Sequence, residues 1–296
     1  MSETWIETIK TFGTIAVELV VLFFAVAFIV ALLQRRLGEK RIQLWLAGGK
    51  MAAPLKGAVL GALTPFCSCS TLPMLMGMLK VGAPFRAAAA FLIASPLMNP
   101  IILGITWILF SWKVMAGYAL VVFAGTIVLS LVLEALGMEK YVRRVKVSAE
   151  GHSDAPWQGI KAEARPAWDQ AVSFFKPLAI PMLIGVSIGA FIYGAVPQTF
   201  LTSVAGPDNL FAVPVAALIG IPLYIRTESA LPIGLALNSA GMGLGPVFAL
   251  IIGGAGASLP ELSMLAAIFK PRLVGAYVAS ILAVAISGGL IIPLLV

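Results

Sequence analysis

The chain has 296 residues, 60% of them hydrophobic and only 11% charged, against roughly 25% charged in ordinary globular proteins. With a mean hydropathy of +1.02, this excludes a soluble enzyme core with a solvated shell, a disulfide scaffold and a disordered chain, and it indicates an integral membrane protein. The formal charge of +7 is read as topology rather than nucleic-acid affinity, because basic residues gather on the cytoplasmic side of membrane proteins.

In chain order, Glu3, Glu7 and Lys10 precede an apolar run over 14–33 with no small-residue cleavage site, so a retained first span is expected rather than a signal peptide. Arg35, Arg36, Lys40, Arg41, Lys50 and Lys56 follow. The region 51–112 is equally apolar but is cut by Pro, Gly, Ser and Asn. It reads as a half-descending arm over 51–63, a returning arm over 71–80, and one crossing over 84–112 broken at 95–100. A clean span over 114–133 leads into a polar segment, 137–170. That segment, with Lys176 just beyond it, carries Lys140, Arg143, Arg144, Lys146, Lys161 and Arg165. A span over 171–196, a second chopped region over 209–270 and a last span over 273–296 complete the chain.

Sliding the chain on itself by 159 residues puts Gly61 on Gly220, Ser70 on Ser229, Leu72 on Leu231, Pro73 on Pro232 and Gly82 on Gly241, and it maps spans onto spans. The basic segments after the first span and in the linker belong on the cytoplasmic side, joined there by Lys80, Arg86, Lys270 and Arg272; Lys10, Lys113 and Arg226 are the exceptions. The first span then runs inward and its counterpart runs outward. The expected fold is therefore all-α and integral to the membrane, with two inverted repeats, each of three spans (one broken) and a re-entrant helical hairpin, meeting at the midplane. The repeats are 1–136 and 171–296, and 137–170 is a cytoplasmic linker.

Irregular backbone at membrane depth is tolerated only where protein buries it or a polar cavity is lined by it. The two hairpin tips are such places: Thr64-Pro65-Phe66-Cys67-Ser68-Cys69-Ser70-Thr71-Leu72-Pro73 and, at the same offset, Ile225-Arg226-Thr227-Glu228-Ser229-Ala230-Leu231-Pro232. In each, a Ser stands three before a Pro, the pattern of an N-cap and a helix-starting proline. A solute site is expected from Cys67, Ser68, Cys69 and Ser70 on one side and Arg226, Thr227, Glu228 and Ser229 on the other. Helix N-termini and Arg226 both favour a thiolate able to hold a soft solute. Two sulfurs at Cys-x-Cys spacing reach one thiophilic atom if the backbone there is extended. The bland readings are a buried Cys acting as a small apolar residue and a structural ion pair between Arg226 and Glu228. Asn99 and Ser95 in the first copy, with Ser258 and Glu261 in the second, sit at the other breaks and could complete the lining.

Other features read as structural. Met74, Met76 and Met78 do not share one helix face, which favours packing over copper binding. Gly57/Gly61, Gly185/Gly189 and Gly241/Gly245 mark close helix contacts within one chain. His152, the only histidine, cannot complete a zinc site with two thiols, and the glycines near Gly253 lack a Walker lysine.

At Pro65-Phe66-Cys67-Ser68-Cys69-Ser70-Thr71-Leu72-Pro73, Gly82-Ala83-Pro84 and Ser95-Pro96-Leu97-Met98-Asn99-Pro100 the chain resembles the YraQ-type predicted permeases, a broad family that also contains the organoarsenical efflux permeases called ArsP. The resemblance covers nearly the whole chain. It implies a multi-pass permease of the bacterial cytoplasmic membrane, with Cys67 and Cys69 matching the family's cysteine motif and trivalent organoarsenicals as the suggested solute class. The leading reading is thus a secondary permease for a small thiophilic solute, with no enzyme activity, no cofactor and no nucleic-acid partner. Cys67 and Cys69 are metal ligands only if the solute is a soft metal or metalloid. Two alternatives stand beside it: a channel-like transporter of a sulfur-containing anion, and a membrane-embedded thiol redox protein cycling a Cys67–Cys69 disulfide.

Overall fold

The computed structural model describes residues 48–64, 68–80, 82–143, 159–195, 211–223 and 227–295, with single helical positions between 20 and 46. Among these residues the regular elements are helices, apart from one isolated bridge between Val142 and Phe269. The first group of helices is α1 (Ala52–Leu63), α2 (Ser68–Lys80), α3 (Phe85–Ala94), α4 (Pro100–Leu109) and α5 (Trp112–Ala135). The second is α6 (Ile160–Ala195), α7 (Ala212–Leu223), α8 (Thr227–Ser239), α9 (Leu244–Gly256), α10 (Leu259–Ile268) and α11 (Pro271–Leu295). Three stretches are long and apolar enough to cross a membrane: Trp112–Ala135, Leu244–Ile268 and Pro271–Leu295.

Burial follows composition. α3 and α9 are apolar on all sides except for Arg86, and nearly every residue of both is buried, the behaviour of helices at the centre of a bundle. α5 and α11 bury one face each and pack on each other. Their opposite faces expose Leu120, Val128 and Val132, and Leu290 and Leu294, a surface suited to lipid tails. α6 is 36 residues long, about 54 Å at 1.5 Å per residue, and it begins at Ile160, inside the polar segment that the sequence suggested as linker up to 170.

The 159-residue offset reappears in the elements. The first residues of α2, α3, α4 and α5 return at that offset as the first residues of α8, α9, α10 and α11, and α7 begins one residue later than α1 would place it. Gly82 (φ 74°) and Gly241 (φ 99°) take the same left-handed turn after α2 and α8, a conformation that suits only glycine. The packing repeats as well: α1 lies on α3 as α7 lies on α9, and α3 lies on α5 as α9 lies on α11. A methyl group on Gly57 would strike the Ala87 carbonyl, and one on Gly61 would sit 3.0 Å from both Phe91 O and Ser95 N. At the shifted position, a methyl on Gly220 would meet the Leu250 carbonyl and lie 2.9 Å from Gly254 N. Gly245 likewise lets α9 close on the Gly289 carbonyl, whereas Gly241 serves a turn and no helix contact. Met76 and Met78 are buried in the apolar core.

Polar residues collect at one end. Arg86 holds Glu134 in an ion pair at 2.9 Å and donates to Gly48 O at 3.2 Å. The segment after α5 forms a short 3₁₀ turn, Met138–Tyr141, and docks on the α10–α11 corner through Arg143 N to Ile268 O (2.8 Å) and Lys270 N to Tyr141 O (2.9 Å). Arg272 donates to Tyr141 Oη at 3.0 Å, and this hydrogen bond holds the Tyr141 phenol below its ordinary range.

Candidate functional site

Each broken span leaves helix-end carbonyls buried without their intrahelical donors, and such groups need another partner. Between α3 and α4 the break runs from Ser95 to Asn99; between α9 and α10 it is Ala257 and Ser258. Both are bridged by a buried tyrosine on the following long helix. Tyr118 Oη donates to Leu97 O at 2.7 Å, and Tyr277 Oη lies 2.6 Å from Gly256 O. Both residues of each pair are related by the 159-residue offset. Sequence reading missed these tyrosines; their equivalent places in two otherwise apolar spans were the available signal.

Buried polar side chains line the breaks. Asn99, 5% exposed, caps α4 by accepting from Ile101 N at 2.9 Å. Ser258 occupies the matching N-cap of α10 and makes no capping bond with its side chain. The Ser95 hydroxyl is buried and has no hydrogen-bond partner among the described residues. Glu261, in the first turn of α10, is 0% exposed and has Oε1 at 3.0 Å from Tyr277 Oη.

The tips differ from expectation in one respect. α2 begins at Ser68 and α8 at Thr227, so Ser68, Cys69 and Ser70 form the first helical turn rather than an extended loop, and so do Thr227, Glu228 and Ser229. Pro73 and Pro232 consequently lie inside these helices and do not start them. Entering the helix early pairs these backbone groups within the chain, the arrangement favoured wherever water is excluded. A proline inside a helix removes the N–H that would serve the residue four before it, so the Cys69 and Glu228 carbonyls lose that donor. Cys67 and Arg226 lie outside the described residues, as do the side chains of Ser68, Cys69, Ser70, Thr227, Glu228 and Ser229.

The helices that carry the tips cross between copies. α2 contacts α10, and α8 contacts α4. The helix that carries Cys69 thus meets the helix of Glu261, and its counterpart α8 meets the helix capped by Asn99. Among the described residues no cluster of three or more His, Cys, Asp or Glu could hold a metal ion.

The sequence from residue 4 to 294 matches the family model described as ArsP_1, predicted permease. The chain belongs to that family. YcgR of Bacillus subtilis is 23% identical over 284 residues, covering 95% of each chain. YraQ of Escherichia coli is 26% identical over 247 residues, covering 79% of this chain and 68% of its own. A Streptococcus mutans protein described as a subunit of a two-component membrane permease complex is 24% identical over 245 residues, covering 81% of this chain and 79% of its own. No solved structure matches the chain significantly.

Membership in a permease family agrees with what the arrangement offers chemically. Buried hydroxyl, amide and carboxyl groups gather at two helix breaks in an otherwise apolar bundle, and polar side chains at such depth usually serve a solute or ion pathway.

Proposed function

We propose that this protein is a secondary permease that moves a small thiophilic solute, of the trivalent organoarsenical type, through a midplane site containing Cys67 and Cys69. The observation that carries this reading is the crossing of the hairpins: α2 packs on α10 and α8 on α4, each hairpin helix against the other copy's broken span. Such crossing is what an inverted repeat with its site between the copies would produce, and it supports this reading. We take residues 1–136 and 171–296 as the copies, with the segment between them in the bacterial cytoplasm. The clustering of Arg86, Glu134, Tyr141, Lys270 and Arg272 at one end supports that side assignment.

In this reading Cys67 and Cys69 exchange onto the thiophilic centre while Ser68, Ser70, Thr227, Ser229 and Asn99 offer hydroxyl and amide contacts, and Arg226 and Glu228 set the charge opposite the thiols. The test is efflux of a methylated trivalent arsenical from everted vesicles. The double variant Cys67→Ser/Cys69→Ser is expected to lose it, while each single variant retains part. Undiminished efflux by the double variant overturns the thiol site.

The N-termini of α2 and α8 at the two tips favour a second reading, transport of a sulfur-containing anion. There Arg226→Gln would abolish thiosulfate uptake, and the cysteine changes would reduce it less.

A further inference from the structure

Where the end of α5 meets the start of α11, positive charge gathers at a place that disfavours it. We propose that Lys140, Lys270 and Arg272 form a binding site for the phosphate headgroup of an anionic phospholipid, which ties the end of α5 to the start of α11. The inference lies beyond the solute site and involves no transported solute.

The helix end itself is electrostatically unbalanced. α11 begins at Pro271, so Lys270 holds its N-cap position, and the first turn carries Arg272 and no acidic residue. A helix N-terminus is the positive end of the macrodipole, where carboxylates stabilise and cations repel. Lysine also offers no acceptor to the free N–H groups. At the 159-residue offset α5 is built in the ordinary way, with Ser111 as N-cap accepting from Val114 N at 3.2 Å. Lys113 matches Arg272 there, so what sets the second copy apart is a lysine in place of the capping serine.

Tertiary packing adds to this charge instead of relieving it. The 3₁₀ turn brings Tyr141 onto the corner, with Lys140 Nζ 5.3 Å and Arg272 Cζ 5.7 Å from the centre of its ring. The hydrogen bond from Arg272, and after it the charges of Arg272, Lys140 and Lys270, hold the Tyr141 phenol below its ordinary range. These three cations and the neighbouring Arg143 are exposed. Among the described residues none of the four pairs with a carboxylate, and Glu139, the one acid on the turn, forms no ion pair. An anion is what the corner lacks.

The surface beside the cluster selects a lipid over a soluble anion. Gly117 lies against Leu295 and Gly125 against Val284, so α5 and α11 run antiparallel and the cations sit at one end of both. Leading away from them, α5 exposes Leu136, Val132 and Val128, one per turn, and α11 exposes Gly275 and Ala279. A methyl group on Gly275 would meet nothing within 4 Å. Acyl chains can therefore follow apolar, uncrowded surface while the phosphate meets the cations, the arrangement by which basic residues bordering a membrane helix hold anionic headgroups. The corner is also a joint, since the Val142–Phe269 bridge links the segment after α5 to the α10–α11 turn. A headgroup shared by Lys140 and Lys270 adds a second link across it.

The experiment is thermal unfolding of the purified full-length protein in neutral detergent, with phosphatidylglycerol, with phosphatidylcholine of the same chains, or with inorganic phosphate. Phosphatidylglycerol at 100-fold above its Kd should raise the unfolding temperature by about 5 °C, and the other two should not. Lys140→Gln/Lys270→Gln keeps the bond between Arg272 and Tyr141; it should unfold no lower than wild type without lipid and lose the rise. Lys140→Arg/Lys270→Arg should keep the rise, as should Lys113→Gln at the other end of α5. Lys270→Ser, which builds the cap that Ser111 provides in the first copy, should gain stability without lipid and respond less to phosphatidylglycerol. A rise equal to wild type in both the double glutamine variant and Lys270→Ser overturns the proposal. So does an equal rise with phosphatidylcholine, or with inorganic phosphate alone, which would make the ligand a soluble anion.

Discussion

A buried tyrosine hydroxyl has one proton, and the two copies of this chain use it differently. Tyr118 closes a fixed bond to Leu97 O, whereas Tyr277 stands between Gly256 O and Glu261. Removing the first leaves a buried carbonyl unpaired. Tyr118→Phe is therefore expected to lower stability by about 1–3 kcal/mol, read as a fall in thermal unfolding temperature of the detergent-solubilised protein. An unchanged unfolding temperature would show that the bond to Leu97 O does not hold the break together.

At the scale of elements, the core is set by how near α1 comes to α3 and α7 to α9. Gly61 and Gly220 permit backbone-to-backbone approach, and a side chain at either place has nowhere to go. Gly61→Val and Gly220→Val should each destabilise by about 1–3 kcal/mol, the usual effect of overpacking. Gly104 and Gly275, which meet nothing within 4 Å, make the comparison. Alanine there should be neutral or stabilise by about 0.5–1 kcal/mol through helix propensity. Equal sensitivity at all four glycines in a thermal-shift series would mean that the close contacts do not set the core.

For the whole molecule, the predictions concern sidedness. Single cysteines placed at Glu139, Lys140 or Lys270 in a background with Cys67 and Cys69 replaced by Ser should react with an impermeant maleimide only from the cytoplasmic face. A cysteine at Lys113 should react only from the opposite face. Labelling of Lys113 and Lys140 positions from the same side would overturn the inverted layout.

Much of this was legible along the chain. Scarcity of charge fixed the environment, and Pro, Gly, Ser and Asn marked the breaks, because interruptions of an apolar helix are local chemistry. The offset of 159 residues located the starts of four helices in the second copy from those in the first. The tips were less legible. Ser70-x-x-Pro73 and Ser229-x-x-Pro232 read as caps before helix-starting prolines, but the helices had already begun at Ser68 and Thr227. Local preference lost there to the pairing of backbone groups that a longer helix provides. What only the tertiary structure decided is which groups meet: α2 with α10, α8 with α4, and Tyr277 with both Gly256 and Glu261. Periodicity and punctuation report each residue's near neighbours in the chain. The pairing of a phenol with a carbonyl 21 residues away depends on how helices cross, and that is settled by packing rather than by local sequence.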